Sequence, residues 1–587
     1  MPLDPFYDAV CNVCRRTLPD LILRRRYKHD HHATLRALKT SSSQGCRTCA
    51  IFYHNFAYTD YQGSSLDEGP VAIVRSSKGD VFKIFLSGEH DEVTYGAEVP
   101  LHVKHTIQAA KELTSQDAQT RLSRAADSAE NIAVLNKLLE DCNSNHPLCG
   151  VIGEGNDMPT RVLDVSLFQH NDAVRIVPET EVQGRNRRYV CLSHCRGLVP
   201  PDAPCMLIES RKQAYMTAIP MKLLPLTFQQ AIELTCNMGE RYLWIDALCI
   251  IQDSGADWAR EASRMASIYT NSLVTLSAAT SSSLEGCVLR REPSMAEPVL
   301  LNLDSNVSSG RMAHIFHGLP AENQLQQKVP VTKRAWCLQE RKLTTRLIQF
   351  TPYQWTWTCR TAGTSERILR KLRITASTFD QRGQDGLHFH NQEDTSGSRV
   401  TRSDGTIDDE AVVKDYKASR KAYDDWYTTV QDFTKCDITY PTDRLPALAG
   451  LAQRQQSHVP DTYLAGLWEA DILYGLAWGS NNPPEMCPAT YIAPSWSWAS
   501  INGAVSFEGF LHYQNQYSPK LISASISHSC EDELGMVTAG HLRWRGRLKP
   551  LSTSTVVLGF TKTFREFPTG HGVGIMRLDT HADAGLP

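Results

Sequence analysis

The apolar and polar positions of this chain change rhythm several times, and between Arg188 and Thr351 they do so regularly. Short apolar runs alternate there with longer stretches whose apolar residues recur every three to four positions. YVCLSH (189–194) reads as a strand ending in the turn Cys195-Arg196-Gly197. LTFQQAIELTCNMG (226–239) reads as a helix with Thr227 as N-cap and Gly239 as C-cap. RYLWIDALCI (241–250), apolar on both sides, reads as a second, central strand. DWAREASRMASIYTNS (257–272) is an amphipathic helix that Asp257 caps, and LVTLSAAT (273–280) is a third strand. RAWCLQERKLTTR (334–346) is a helix and LIQFT (347–351) a further strand. Such alternation predicts an α/β domain built on a mostly parallel sheet with helices on its faces.

Elsewhere the rhythm differs. VAIVRSS (71–77) and VFKIFLSG (81–88) alternate in polarity as strands do, and SRAADSAENIAVLNKLLEDC (123–142) is helical. Residues 376–412 are polar and rich in Gly, Ser and Asp, as a flexible insertion would be. A helix is expected from about 413 to 433, and another, opened by Asp443, over DRLPALAGLAQ. APSWSWAS, HLRWRGRLKP and STVVLGF suggest a β-rich end to the chain. A length of 587 residues requires several cores. The expected order is a cysteine-rich module (1–60), a mixed strand and helix region (61–185), the α/β domain (186–360), the insertion, and a helical then β-containing region (413–587).

Composition narrows the function classes. With 41% hydrophobic and 21% charged residues and a net charge of -3, the chain is globular and has no basic field to recruit nucleic acid or an anionic membrane. No apolar run approaches the ~18–20 residues of a spanning helix, and MPLDPFYDAVCNVCRR lacks a secretory pattern. Seventeen cysteines, an odd number in a large chain, suit a reducing, cytoplasmic compartment.

Candidate chemistry falls in four places. The pairs Cys11/Cys14 and Cys46/Cys49 can supply four thiolates for structural zinc, with His29, His31 and His32 between them as substitute ligands; reduced core cysteines are the alternative. Cys142, His146 and Cys149 also have ligand-like spacing but no fourth partner, so a capping role for His146 is preferred. Ligands of a parallel sheet bind beyond the strand ends, where Ser193, His194, Arg196 and Asp246 stand, with Cys249, Gln252 and Asp253 just beyond. Alternatively Asp246 and Arg196 satisfy loop backbone and each other. Glu340 shares a helical face with Trp336 and Leu343, and a carboxylate in such company needs a partner or a proton. An ion pair with Arg334, Arg341 or Arg196 would supply one. Neither a glycine-rich nucleotide loop nor HExxH is present.

YVCLSHCRG (189–197), YLWIDALCIIQD with DWAREASRMASIY (242–269) and RAWCLQE (334–340) resemble the three blocks of the fungal heterokaryon incompatibility (HET) domain, in order and spacing, over about 189 to 350. CNSNHPLC, PTRVLDV, DRLPALAGLA and APSWSWAS are similar to flanking pieces of such proteins. One position departs: Arg196 stands where the family's LSxxWG carries tryptophan. The resemblance implies fungal self/non-self recognition that ends in growth arrest and cell death, with self-association or another incompatibility protein as partner. It also implies a fold similar to TIR domains, a flavodoxin-like parallel sheet. Enzymatic TIR domains cleave NAD at the nicotinamide–ribose bond with a glutamate in a WCxxE-like motif, which Trp336-Cys337-Leu338-Gln339-Glu340 fits. By that analogy Glu340 is catalytic, Ser193, His194, Arg196, Asp246 and Trp336 line the site, and NAD is a substrate rather than a cofactor. The alternative is a non-enzymatic signalling and self-association module of the same fold.

Overall fold

The structure is a computed structural model that describes residues 10–23, 28–57, 70–75, 81–87, 93–106, 122–150, 157–182, 187–279, 284–287, 289–291, 299–302, 312–317, 330–351, 353–371, 409–480, 490–507, 520–528 and 533–545. The expected strand STVVLGF and the insertion up to residue 408 lie outside them.

Its centre is a nine-stranded mixed sheet. Val190–Ser193, Tyr242–Trp244, Val274–Ala278 and Arg346–Phe350 run parallel to one another. Their spatial order is Arg346–Phe350, Val274–Ala278, Val190–Ser193, Tyr242–Trp244. Numbered along the chain this is 2-1-3-4, so the order reverses between Val190–Ser193 and Val274–Ala278, where an open α/β sheet leaves its crevice. Antiparallel strands extend both edges. Trp355–Cys359 and Gly363–Ser365 follow Arg346–Phe350, while Arg161–Asp164, Ala173–Pro178 and Ile219–Pro220 follow Tyr242–Trp244. The parallel expectation therefore holds for the centre alone.

Three of the parallel strands are buried on both faces, which is why they read as apolar runs, while Arg346–Phe350 alternates between buried and half-buried positions. RYLWIDALCI is shorter as a strand than its apolar content suggests: the strand ends at Trp244, and Asp246–Cys249 is already helical. Three expected caps have other roles. Pro225 precedes Leu226–Asn237 at the cap position, while Thr227 is buried and its Oγ1 accepts from the Gly286 amide at 2.8 Å. Ser254, not Asp257, caps Gly255–Asn271; Asp257 instead pairs with Arg161 at 2.5 Å. Pro446 opens the helix Pro446–His458, and Asp443 ends the short turn before it. Tertiary partners draw these polar side chains away from the helix ends.

Pro446–His458 packs on the helices Gly255–Asn271 and Ala335–Leu343. Gly450 permits the approach: a Cβ there would lie 2.5 Å from Ala266 Cβ and 3.0 Å from Leu343 Cδ1. Alanine would gain under about 1 kcal/mol of helix propensity, whereas overpacking costs about 1–3 kcal/mol. Gly450→Ala is therefore expected to lower the thermal unfolding midpoint.

The N-terminal segments form a separate six-stranded sheet, ordered Lys28–His32, Val71–Arg75, Val81–Ser87, Val93–Thr106, Met312–His317, Val299–Asn302. The last two strands come from within the α/β region, and Val299 and Leu301 join the N-terminal core. Toward the C-terminus, Asp409–Thr434 supplies Trp426 to a cluster with Tyr463 and Trp468. Trp498 of the SWSWAS run is fully buried, its indole donating to the Gly466 carbonyl at 2.9 Å. Lys520–His528 and Val537–Arg545 form an antiparallel hairpin.

Candidate functional site

The strand Val190–Ser193 ends at the order reversal, and the helix Ala335–Leu343 packs beside it. Ser193 is fully buried, His194 is 4% exposed and Glu340 is 6% exposed. Among the described residues no basic group lies within ion-pair distance of Glu340, so the salt-bridge alternative fails. Oε2 of Glu340 and Oγ of Ser193 are both buried without a hydrogen-bond partner of standard geometry, and the Ser193 hydroxyl lies near enough to influence the carboxyl. Burial is the dominant influence on Glu340 and pushes its carboxyl up to about 7. Asp246 adds to the rise, while the Ser193 and Tyr269 hydroxyls and the Arg334 guanidinium hold it back.

The other expected residues divide. His194 is buried with Nε2 unpartnered, and burial holds its pKa below the usual histidine value. Its Nδ1 lies 3.9 Å from Asp246, whose side chain is 41% exposed and forms a wet rim. The His194 carbonyl accepts from Arg334 Nη1 at 3.1 Å, which keeps that cation beside the carboxyl. Arg196 donates to Gln252 at 3.2 Å and leans on the Met206 sulfur, leaving the expected Arg196–Asp246 pairing unmade. Trp336 donates to Asp443 at 3.2 Å and packs edge-on to Trp258, so its ring is held between the turn before Pro446–His458 and the helix Gly255–Asn271. Tyr269 and Arg334 were not expected beside Glu340 as site residues. Tyr269 sits on the buried face of a helix that reads only as amphipathic, and Arg334 reads as an ion-pair partner.

Residues 189–340 match the family described as Heterokaryon incompatibility protein (HET). The chain carries a HET domain. No curated protein and no solved structure matches it. The matched span contains Ser193, His194, Asp246 and Glu340, so the buried acid and its neighbours belong to the HET domain itself.

The HET domain is preceded by the cysteine-rich module, where the thiols of Cys11, Cys14, Cys46 and Cys49 gather with ligand atoms within 4.8 Å of one another. Cys11 caps the helix Asn12–Ile22, and the Cys46 carbonyl accepts from the Ala50 amide at the start of Arg47–Ala57, so each pair rides on a helix entrance. Four thiols from two helix starts suit a tetrahedral thiophilic ion. His32 Nε2 lies 3.2 Å and His31 Nε2 3.8 Å from the Cys49 sulfur. Burial pushes His31 down to about 3, so it is neutral, and its Nδ1 meets Thr17 Oγ1 at 3.0 Å. His29 is half-buried and turns to the Asp30 carbonyl, outside the cluster. The cysteines of the described residues are all free, and among these residues no helix is long and apolar enough to cross a membrane.

Proposed function

We propose that the HET domain is a TIR-like hydrolase acting in fungal self/non-self recognition, and that it cleaves the nicotinamide–ribose bond of NAD with Glu340 as its catalytic residue. The observation that carries this reading is the unpaired Glu340 carboxyl, buried at the strand-order reversal among hydroxyls and a guanidinium. The 2-1-3-4 order of the parallel strands supports the flavodoxin-like comparison. In the reaction the C1′–N bond breaks with its electron pair on nicotinamide, whose pyridinium becomes neutral without needing a proton. Water oxygen bonds to C1′ and releases one proton. The Glu340 carboxylate stabilises the oxocarbenium-like ribose and receives that proton. Arg334 supplies positive charge for the dinucleotide phosphates, Ser193 hydrogen-bonds the ribose, and Asp246 with Arg196 frames the rim. The Cys11, Cys14, Cys46 and Cys49 thiolates hold a structural zinc ion in the same reading, away from the reaction.

The depth of Glu340 favours one competing reading, in which the domain only signals. Leu198, fully exposed in the turn after the strand Val190–Ser193, would then be part of a self-association or partner surface. The readings separate on one assay: full-length protein is incubated with NAD and nicotinamide release is followed, dilute and at concentrations that favour self-association. Release is expected. None under either condition sinks the hydrolase.

A further inference from the structure

The spacing of Cys142, His146 and Cys149 lacks a fourth ligand in sequence, and the fold supplies one. Cys359, at the end of the strand Trp355–Cys359, joins them, and the four ligand atoms lie within 4.8 Å of one another. Cys359 Sγ is 3.4 Å from His146 Nδ1. We propose that Cys142, His146, Cys149 and Cys359 bind a second structural zinc ion, through three thiolates and the Nδ1 of a neutral imidazole.

Three independent features fit a metal better than four reduced side chains. The first is charge. Three thiolates and one imidazole around a divalent cation carry one net negative charge, and Arg346 is placed to balance it. Arg346 is fully buried, donates from Nε to Cys142 Sγ at 3.1 Å and from Nη2 to the Gly150 carbonyl at 3.0 Å, and leaves Nη1 unpartnered. No carboxylate among the described residues pairs with it. Neutral thiols would leave this guanidinium uncompensated in the core, which is costly.

The second is the histidine. With Nδ1 toward the sulfurs, Nε2 faces the Asp141 carboxylate at 3.7 Å, and Asp141 is itself fixed by Asn145 at 2.8 Å. A carboxylate behind the second nitrogen sets the tautomer a metal-binding histidine needs. The third is the sulfur environment: the Ala362 amide donates to Cys359 Sγ at 3.2 Å, and the Thr361 hydroxyl lies 3.7 Å from Cys149 Sγ. Amide and hydroxyl donors turned toward sulfur favour thiolate over thiol.

The site would clip the helix Ala129–Asn145 and the turn Pro147–Cys149 to the edge of the central sheet. Its position beside Arg346, the first residue of the strand that follows the Glu340 helix, also ties it to the geometry of that helix. The proposal does not depend on NAD cleavage.

Metal content of the full chain, purified without chelator, tests it. Cys359→Ser is expected to carry one zinc equivalent fewer than the parent, and Cys46→Ser to lose a different one, so that the double variant carries none. Cadmium exchange of the unaltered parent chain tests the site even if the variants fold poorly. Two cadmium-113 resonances are expected, one typical of four sulfurs and one of three sulfurs with one nitrogen. Equal zinc in parent and Cys359→Ser, a lone four-sulfur resonance, or a disulfide joining two of Cys142, Cys149 and Cys359 in fresh protein would each overturn the proposal.

Discussion

Glu340→Gln is expected to lower NAD cleavage by about 10²–10³-fold, the scale of losing one transition-state stabilising group, while making the fold more stable above neutral pH. The second half follows from linkage. The Glu340 carboxyl titrates at about 7 in the folded chain against 4.5 in the unfolded one. Between those values the folded state holds a proton that the unfolded state has released, so stability falls as pH rises from about 4.5 to 7. A rise of 2.5 units (7 − 4.5) corresponds to roughly 3 kcal/mol lost by pH 8 relative to acid. Glutamine has no such loss. Unfolding midpoints of parent and variant should therefore converge near pH 5 and separate at pH 8, the variant being higher. Activity of the parent should rise through pH 7 as the carboxylate forms. Equal turnover by parent and variant would remove Glu340 from the reaction. A variant less stable than the parent at pH 8 would show that the buried charge has a partner.

Glu366→Ala is expected to destabilise the fold by about 3–5 kcal/mol, as loss of one member of a buried ion pair does. Arg291 and Glu366 are almost completely buried and meet through two bonds, at 2.5 and 3.1 Å. Asn131 Nδ2 donates to the same carboxylate at 3.2 Å, so one acid gathers side chains from two distant segments. Alanine would strand the Arg291 cation without a counter-charge. A double change, Arg291→Met with Glu366→Leu, should recover much of the loss, since apolar replacement of a buried pair is often neutral. Thermal unfolding of the parent and the two variants decides. A single Glu366→Ala variant as stable as the parent would mean that water reaches Arg291.

Local rhythm made the central strands and their helices legible, because a parallel strand covered on both faces is a short apolar run and an amphipathic helix repeats every three to four residues. It did not reveal Trp355–Cys359 or Gly363–Ser365 as sheet edges, nor the union of Val299–Asn302 with the N-terminal sheet. Those depend on pairings between distant segments, which leave no local period. The misassigned caps have the same cause: Thr227 and Asp257 look like helix openers until Gly286 and Arg161 arrive from elsewhere. At the site, Ser193, His194 and Asp246 could be placed because polar residues at the ends of parallel strands fall at one edge. Tyr269 could not be placed there, being one of several residues on a buried helical face. Cys359 was invisible as a ligand for another reason: it lies more than two hundred residues from Cys142, beyond any spacing rule.

The strands Val299–Asn302 and Met312–His317 leave the HET domain between Ala278 and Ala335, pair with Val93–Thr106, and return. The N-terminal module and the HET domain are thus interlaced instead of threaded like beads. Trimming the first 121 residues would not release a self-contained HET domain. It would leave a hairpin whose Val299 and Leu301 had lost their cover and whose Met312–His317 backbone had lost its neighbour, an open template for pairing with other chains. The same excursion ends just before the Glu340 helix in the chain. The hairpin's return leads through Val331, which packs against Cys195 beside the strand-end turn and Cys337 within the helix. The chain that comes back from the N-terminal sheet thus touches both the strand-end turn and the helix that carries Glu340.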